Sequence, residues 1–426
     1  MKRVSKYTIL AFLILLLVVP FIAACGDNDK DKTPSPTTTT PAKTTPPPIV
    51  KITLGLLTDK TGAAAPALVP VDQALKDVIR YFEEQKLIPG VTFDLVEYDT
   101  AYDPAKVKPA YEFVKERGAK VMMGGVPLVA TITKPMVDQD KIVYFALTAS
   151  PDMYTPPGYT FSVNIPSEAF IYTLLNWLPE NDPNFPKDRP AKIGLIGMED
   201  PYVQNLLDGV KKWCQSHSSQ WQYVDGFIVP WTQMTFPTEV DKLKGCDYVV
   251  PPSTGFWLSN FINELREAGS KATLLGTDAQ MAYLGQMLDF AGWNKIDGMI
   301  LALPYTWWGE DAEMVKKAQY ALENYHTADE QKELRWSGGS YRGGFTQWYG
   351  VMTLIKQTIE AVGAENFNSE AVYATAVKFS EIFDGNVWDY SETDRTTWHS
   401  LNMYRADASK KDVVKIGSLT PVVFEP

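Results

Sequence analysis

Short apolar runs alternate with helical patterns along the chain from residue 49 onward. The apolar runs are continuously hydrophobic or alternate in polarity, which predicts strands at residues 49–57, 91–99, 119–125, 142–147, 191–198, 221–229, 246–252, 272–277 and 298–304. Between them, apolar residues recur on one helix face, as they do at Val71, Ala74, Leu75, Val78, Ile79 and Phe82. This alternation predicts doubly wound parallel sheets of the α/β class, and the number of strands predicts two lobes.

The last third of the chain has a different pattern. Apolar periodicity predicts a long helical region at residues 311–328, 340–363 and 369–383, followed by a hairpin built from 401–407 and 413–419. Residues 338–344 (GGSYRGG) are rich in glycine, but they follow no strand and lack the Lys-Ser/Thr of a phosphate-binding loop. We therefore interpret them as a flexible loop before a helix.

The amino terminus has the pattern of a targeting segment. Basic residues near the start precede an apolar run over 9–24, which ends in small residues directly before Cys25. This arrangement resembles a bacterial lipobox, which predicts that 1–24 is a lipoprotein signal peptide and that Cys25 carries lipid. An ordinary signal peptide or an uncleaved anchor is the alternative. Residues 25–48 are rich in Thr and Pro, and as a tether they would reach roughly 70 Å from a membrane.

Composition and charge exclude several classes of function. The chain of 426 residues carries 40 basic and 51 acidic side chains, a net charge of −11, and so lacks the basic surface of a nucleic-acid-binding protein. Three cysteines are too few for a disulfide scaffold, and the spacing leaves open whether Cys214 and Cys246 are bridged. The three histidines are far apart, and no nucleophile motif or metal-ligand spacing is present. We expect no cofactor, no metal and no enzymatic activity.

Six segments, taken in order, resemble the leucine/isoleucine/valine-type solute-binding proteins of ABC transporters. They are 52–62, 91–107, 145–151, 193–210, 261–279 and 297–305, and together they lie within residues 50–360. The resemblance implies a type I periplasmic binding protein fold with two lobes, three hinge crossings and a solute in the cleft. On this template, lobe 1 comprises 49–165 plus 303–390, and lobe 2 comprises 166–302 plus 391–426.

Candidate ligand contacts follow predicted strands, where open parallel sheets bind their ligands. Thr148, Ala149 and Ser150 offer hydroxyl and backbone N–H groups, and the resemblance implies that they hold the backbone groups of the ligand. An ordinary capping turn is the alternative. The family usually has a serine pair where this chain has Gly125-Val126-Pro127, so hydroxyl donors are absent from that position.

Four further candidates come from the same argument. The resemblance implies that Tyr202 closes on the ligand from lobe 2 and that Asp278 pairs with a ligand ammonium group. The alternatives are packing at a helix start for the tyrosine and a solvated N-cap for the aspartate. Thr254 and Tyr305 are weaker candidates, placed after other strands. The loop tryptophans Trp231, Trp307 and Trp308 could wall a pocket for an apolar or cationic solute, although core packing is the commoner role.

Together these features predict an extracytoplasmic solute-binding protein held on the cell membrane through a lipid anchor. It would capture a small polar solute (an amino acid, an amide or a related carboxylate) by hinge closure and deliver it to an ABC permease. A sensor with the same fold, coupled to a signalling partner, is the first alternative. An extracytoplasmic enzyme on a two-lobe scaffold is the second, and the lack of a nucleophile–base arrangement disfavours it.

Overall fold

Two large sheets organise the chain. The computed structural model describes residues 49–147 and 150–426. The first sheet is entirely parallel in the order β2-β1-β3-β4-β5. Its strands are β1 (Val50–Thr58), β2 (Val91–Asp99), β3 (Val121–Gly124), β4 (Tyr144–Ala146) and β5 (Thr160–Ser162).

The second sheet has eight strands, in the order β14-β13-β10-β9-β8-β6-β7 with β15 beside β13. Strands β6 to β10 run parallel, whereas β13, β14 and β15 are antiparallel to their neighbours. The strands are β6 (Ala191–Met198), β7 (Trp221–Val229), β8 (Tyr248–Val250), β9 (Thr273–Gly276), β10 (Ile300–Leu303), β13 (Ser400–Asp407), β14 (Asp412–Lys415) and β15 (Thr420–Pro421). A separate hairpin joins β11 (Ser380–Phe383) to β12 (Asn386–Asp389).

Helices alternate with the parallel strands and then follow one another after β10. They are α1 (Ala65–Glu84), α2 (Pro104–Glu116), α3 (Pro127–Asp140), α4 (Pro151–Tyr154), α5 (Ser167–Asn181), α6 (Pro201–Ser216), α7 (Pro237–Leu243), α8 (Gly255–Glu267), α9 (Asp278–Met281), α10 (Leu284–Phe290), α11 (Trp293–Ile296), α12 (Glu313–Tyr325), α13 (Ala328–Trp336), α14 (Gly339–Val362) and α15 (Ser369–Ala376), with a 3₁₀ turn at Ala364–Asn366. No helix of the described residues is long and apolar enough to span a membrane.

The chain passes between the two sheets three times, at residues 163–166, 304–312 and 390–399. The predicted fold class, two parallel-sheet lobes with three crossings, is therefore confirmed. All strands of the first sheet precede residue 165, and those of the second lie in 191–303 and 400–421. The lobe limits proposed from the sequence stay a prediction at the level of individual residues.

Helix α14 returns the chain to the first sheet by packing along α1. The buried face of α1 contains Ala74, Leu75 and Val78, as its apolar spacing predicts. The indole of Trp348 on α14 donates a hydrogen bond to the backbone oxygen of Val71 at 3.2 Å. This contact ties residues 277 positions apart, so the late helices complete the core begun by the first strand.

The prediction of a flexible loop at 338–344 is wrong, because this segment is the buried start of α14. A Cβ on Gly339 would lie 2.4 Å from the Tyr305 hydroxyl oxygen, and one on Gly343 would lie 2.4 Å from a carbon of the same ring. The glycines are therefore present for close approach of Tyr305 and not for mobility.

The predicted helix at 369–383 is also wrong in its second half, since α15 ends at Ala376 and β11 follows. Asp384 and Gly385 both have positive φ, of 50° and 84°, as a tight hairpin turn requires. The Asp-Gly dipeptide was the signal for this hairpin. The short strand β5 was missed because three residues carry too little periodicity.

The two cysteines in the second half of the chain are not bridged. Cys214 on α6 and Cys246 before β8 are both free and buried. Burial raises the pKa of each thiol to about 12. Both side chains therefore behave as small apolar core residues.

Gly350, inside α14, gives a test of this packing. A Cβ there would lie 2.1 Å from Cζ3 of the fully buried Trp388. We expect Gly350→Ala to destabilise the protein by about 1–3 kcal/mol in denaturant unfolding, because overpacking displaces neighbouring side chains. The control is Gly245→Ala, where a Cβ meets nothing within 4 Å and the change should stay within about 0.5 kcal/mol. Equal stability of the two variants would contradict this account of the α14 packing.

Candidate functional site

A cavity lies between the two sheets, at the carboxyl ends of their parallel strands. It encloses about 120 Å³. The side of the first sheet contributes Ala64, Ala67, Leu68, Val71, Tyr102, Gly125, Pro127 and Leu147. The side of the second sheet contributes Asp200, Tyr202, Trp231, Ser253, Thr254, Asp278, Ala279, Ala282 and Tyr283. Tyr305 from a crossing and Gly339, Ser340, Gly344 and Gln347 from α14 complete the lining of this cleft cavity.

The loop after β1 shapes the rim on the first-sheet side. The buried carboxylate of Asp59 accepts hydrogen bonds from the backbone N–H groups of Thr61, Gly62 and Ala64, at 3.2, 2.5 and 2.9 Å. These bonds turn the chain directly from the strand into α1. The first turns of α1 then face the cavity with small and apolar side chains.

Asp278 lies in the first turn of α9, immediately after β9. The N-cap of this helix is Thr277, which forms a capping box with Gln280, so Asp278 is not the cap that the alternative interpretation assumed. The Nδ2 group of Asn164, on the first crossing, donates to Asp278 Oδ2 at 2.5 Å. Burial raises the pKa of the Asp278 carboxyl from 3.8 to about 6, and its hydrogen bonds only partly offset this effect. The carboxylate is thus costly to keep charged when no cation is beside it.

Tyr202 extends from the start of α6 toward Asp278. Its hydroxyl lies 2.8 Å from the Thr277 hydroxyl and 3.5 Å from Asp278 Oδ1. Burial is the main reason why its pKa is raised well above the ordinary value, so the phenol stays neutral. Tyr202 is therefore fixed in place by neighbouring polar groups and lines the cavity at the same time.

A hydrogen bond that the sequence did not predict connects the two sides of the cleft. The Tyr102 hydroxyl, after β2, donates to Asp200 Oδ2, after β6, at 2.5 Å. The other oxygen of Asp200 accepts the backbone N–H of Tyr202 at 2.8 Å and caps α6. Burial raises the pKa of the Asp200 carboxyl. Both residues follow strands that end at this cleft, which was the available signal.

Only one of the three loop tryptophans lines the cavity. The ring of Trp231 lies 5.7 Å from that of Tyr102, and its Nε1 donates to the backbone oxygen of Glu199 at 3.0 Å. Trp307 instead donates to Asp412 at 3.0 Å, and Trp308 stacks on Tyr341. These last two pack within the fold, which is the commoner role of such tryptophans.

The remaining predicted contacts divide into two groups. Thr254 and Tyr305 line the cavity. Ser150 is fully buried but does not line it, and its hydroxyl donates to Asp152 at 2.6 Å within the fold. Thr148 and Ala149 lie outside the described residues. Gly125 and Pro127, where the serine pair of the family is missing, do line the cavity.

Several polar groups of the lining have no hydrogen-bond partner within the described part of the chain. They are the Tyr305 hydroxyl, the Gln347 amide and the Ser253 hydroxyl, on residues that are only 3%, 6% and 8% exposed. Gln347 was missed because it lies inside α14, far from any strand end. These residues line the cavity, so a ligand or water there can form hydrogen bonds with their polar groups.

Comparison with known proteins identifies the class to which this site belongs. A family model described as periplasmic binding protein matches residues 51–412, and the chain belongs to this family. The resemblance to the leucine/isoleucine/valine type and the type I fold are thereby confirmed. Proteins of this family work outside the cytoplasm as binding proteins. No curated protein matches the chain in sequence.

Solved structures share the fold at low sequence identity. A branched-chain amino acid ABC transporter protein from Thermus thermophilus with bound valine has a TM-score of 0.74 and 17% identity, covering 88% of this chain and 98% of that chain. A solute-binding protein from Rhodopseudomonas palustris BisB5 in complex with 3,4-dihydroxybenzoic acid has a TM-score of 0.71 and 16% identity, covering 88% and 99%. A fatty acid ABC transporter protein from Thermomonospora curvata has a TM-score of 0.70 and 18% identity, covering 88% and 94%.

The raised pKa of Asp278 predicts a pH-dependent stability difference between the wild type and Asp278→Asn. Because the folded protein binds this proton more tightly than the unfolded chain does, wild-type stability relative to the variant falls as the pH rises from 3.8 to about 6. A rise from 3.8 to about 6 corresponds to roughly 3 kcal/mol for a fully buried carboxyl. Because the side chain is partly exposed, we expect the stability difference to change by only about 1 kcal/mol. Denaturant unfolding of both proteins across this range is the measurement. A constant difference would show that the carboxyl is solvated like an exposed one.

Proposed function

We propose that this protein captures a small polar solute in the cleft cavity by hinge closure and delivers it to an ABC permease. The observation that carries the proposal is the cavity itself. It lies between two sheets connected by three crossings, and its unpartnered polar groups come from both the second-sheet side and α14. A ligand that contacts both sides favours the closed arrangement, because only differential affinity for the two states can shift their equilibrium.

The proposed contacts are cavity-lining residues together with the loop after β4. Asp278 would pair with an ammonium group of the solute, while Tyr202, Thr254 and Tyr305 would contact it from the second sheet and the crossing. Thr148, Ala149 and Ser150 stay proposed contacts for its other polar groups. Structural neighbours hold valine and 3,4-dihydroxybenzoic acid, so the fold accepts amino acids and aromatic acids and does not choose between them.

The existing contact across the cleft is consistent with this mechanism. Moving a closed population from about 1% to about 99% requires roughly 5.5 kcal/mol of differential affinity. The Tyr102–Asp200 hydrogen bond joins the two sides directly and favours the closed arrangement without a solute, which raises the closed population from which binding starts. Solute contacts would supply the differential affinity itself.

The amino-terminal segment fits a membrane-anchored form of such a protein. We propose that Cys25 is lipidated after removal of residues 1–24 and that 25–48 is the tether. Small residues before the cysteine support this assignment, and the anchor would keep the binding unit beside the permease.

Tyr102→Phe tests the closure mechanism. The variant loses the hydroxyl that reaches Asp200, so solute affinity should fall by about fivefold, equivalent to about 1 kcal/mol, mainly through faster dissociation. The measurement is stopped-flow or calorimetric binding of whichever solute stabilises the wild type in a thermal-shift screen. Tyr98→Phe is the matched control, because Tyr98 lies on β2, the strand that precedes Tyr102, and does not line the cavity. Equal effects of the two variants would contradict the role of Tyr102 in closure.

Cys25→Ser tests the anchor. The substitution removes the thiol that would be acylated, so we expect the protein to leave the membrane fraction or to stay unprocessed at its full length. Membrane fractionation and intact-mass measurement in a bacterial host distinguish the forms. A variant that is processed and membrane-bound like the wild type would contradict lipidation at Cys25.

A further inference from the structure

We propose that the solute is an organic cation, an amine without a free carboxylate, held between two acidic side chains and an aromatic wall. This inference rests on the proposed solute-binding function and specifies its substrate class. It uses the charges that line the cleft cavity, the absence of a cationic side chain among its described residues, and the aromatic rings around it.

The only charged side chains in the described lining are carboxylates. Asp200 and Asp278 line the cavity, and no Lys, Arg or His of the described lining joins them. Neither carboxylate forms an ion pair within the described part of the chain, although each accepts hydrogen bonds from neutral groups. The two undescribed residues of the β4 loop, Thr148 and Ala149, carry no charge in their side chains either.

Two other buried aspartates have a basic partner, whereas the buried Asp59 and Asp72 accept hydrogen bonds only from neutral groups. Asp77 Oδ2 accepts a hydrogen bond from His326 Nε2 at 2.6 Å. An oxygen of Asp182 lies 3.7 Å from a guanidinium nitrogen of Arg405. A buried carboxylate is stabilised by such a partner and is costly without one. At the cleft the partner is missing from the described protein, so a cationic ligand is the group that would supply it.

The buried guanidinium of Arg342 is engaged by polar groups outside the cavity lining. Arg342 on α14 donates to the hydroxyls of Thr346 and Thr306 at 2.5 and 2.7 Å, and it lies 3.9 Å from Asp384. The lining of the cavity includes Tyr305 but does not include Arg342. A carboxylate ligand would therefore add negative charge beside Asp200 and Asp278 without a cationic side chain to bind it.

Aromatic rings form much of the remaining wall. Five of them line the cavity, namely Tyr102, Tyr202, Trp231, Tyr283 and Tyr305. The faces of Trp and Tyr rings attract cations, and the attraction grows where water is excluded. Burial raises the pKa of these tyrosines, which keeps the phenols neutral at physiological pH. The uncharged polar groups of Tyr305, Gln347 and Ser253 remain to orient the rest of the solute.

The test compares ligands that share one apolar group and differ in their charged groups. One set is 2-methylpropylamine, valine and 3-methylbutanoate; the other is benzylamine, phenylglycine and phenylacetate. Binding to the full-length protein is measured by thermal shift and calorimetry at neutral pH. In each set that binds, we expect the amine to bind at least about tenfold more tightly than the amino acid and the carboxylate.

Charge-neutralising variants test the residues. Asp278→Asn keeps the side-chain shape and should weaken the amine by at least about tenfold, so that the preference for amine over carboxylate largely disappears. Asp200→Asn should act in the same direction and serves as an independent variant. The control is Asp241→Asn on α7, an exposed aspartate paired with Lys244 at 2.7 Å, which should leave the preference unchanged.

The outcomes separate this inference from the proposed function. If no amine stabilises the protein at millimolar concentration, or if a carboxylate or zwitterion binds more tightly, the solute is not the cation proposed here. Binding of valine or phenylacetate in that case leaves the solute-binding function standing. If no probe binds and mass spectrometry of the denatured, freshly isolated protein also finds no small molecule, both the inference and the function are contradicted.

Discussion

The ends of the parallel strands converge on one cleft. This convergence determines where charged side chains can lie without an ion-pair partner from the protein itself. Asp59, Asp200 and Asp278 all follow such ends, after β1, β6 and β9. Asp59 accepts three backbone N–H groups that turn the chain into α1, and so acts as part of the scaffold. Asp200 and Asp278 line the cavity without an ion-pair partner in the described part of the chain, and burial raises the pKa of both. Burial disfavours the charged form of these two carboxylates. A ligand that stabilises their charge therefore gains binding free energy.

Packing in the rest of the core fixes the shape of that cleft. Tyr305 reaches the cavity only because Gly339 and Gly343 give its ring room against α14. The same helix packs on α1, whose first turns line the cavity from the first-sheet side. Because α14 contacts both α1 and the crossing that carries Tyr305, a change in its packing is transmitted to the cavity wall. The glycines of this segment are thus part of the binding geometry, although none of them offers a side chain to a ligand.

Local periodicity was enough to predict most of the strands and helices, and the family resemblance, supported by the strand-end rule, selected Tyr202 and Asp278, which line the cavity. It also selected Ser150, whose hydroxyl is used by Asp152, because a sequence does not show which way a side chain points after a turn. Tyr102 was missed since its role depends on a contact with Asp200, 98 residues later. The segment 338–344 was misread because glycine predicts flexibility locally, whereas close packing against Tyr305 is decided by the tertiary structure. The missed features are therefore the ones that depend on two distant segments meeting.

In this family, backbone topology determines the fold, whereas individual side chains in the cavity determine the ligand. Neighbours at 16–18% identity share the architecture over nearly their whole length and yet hold an amino acid in one case and an aromatic acid in another. Backbone topology supplies the cleft, the crossings and the outward-facing strand ends, and these can be shared by any solute. The sign of the charge in the cavity comes from individual side chains that the topology leaves free to vary. For this chain those side chains are two carboxylates and five aromatic rings, so the solute class has to be argued from the lining, and the lining favours a positive charge.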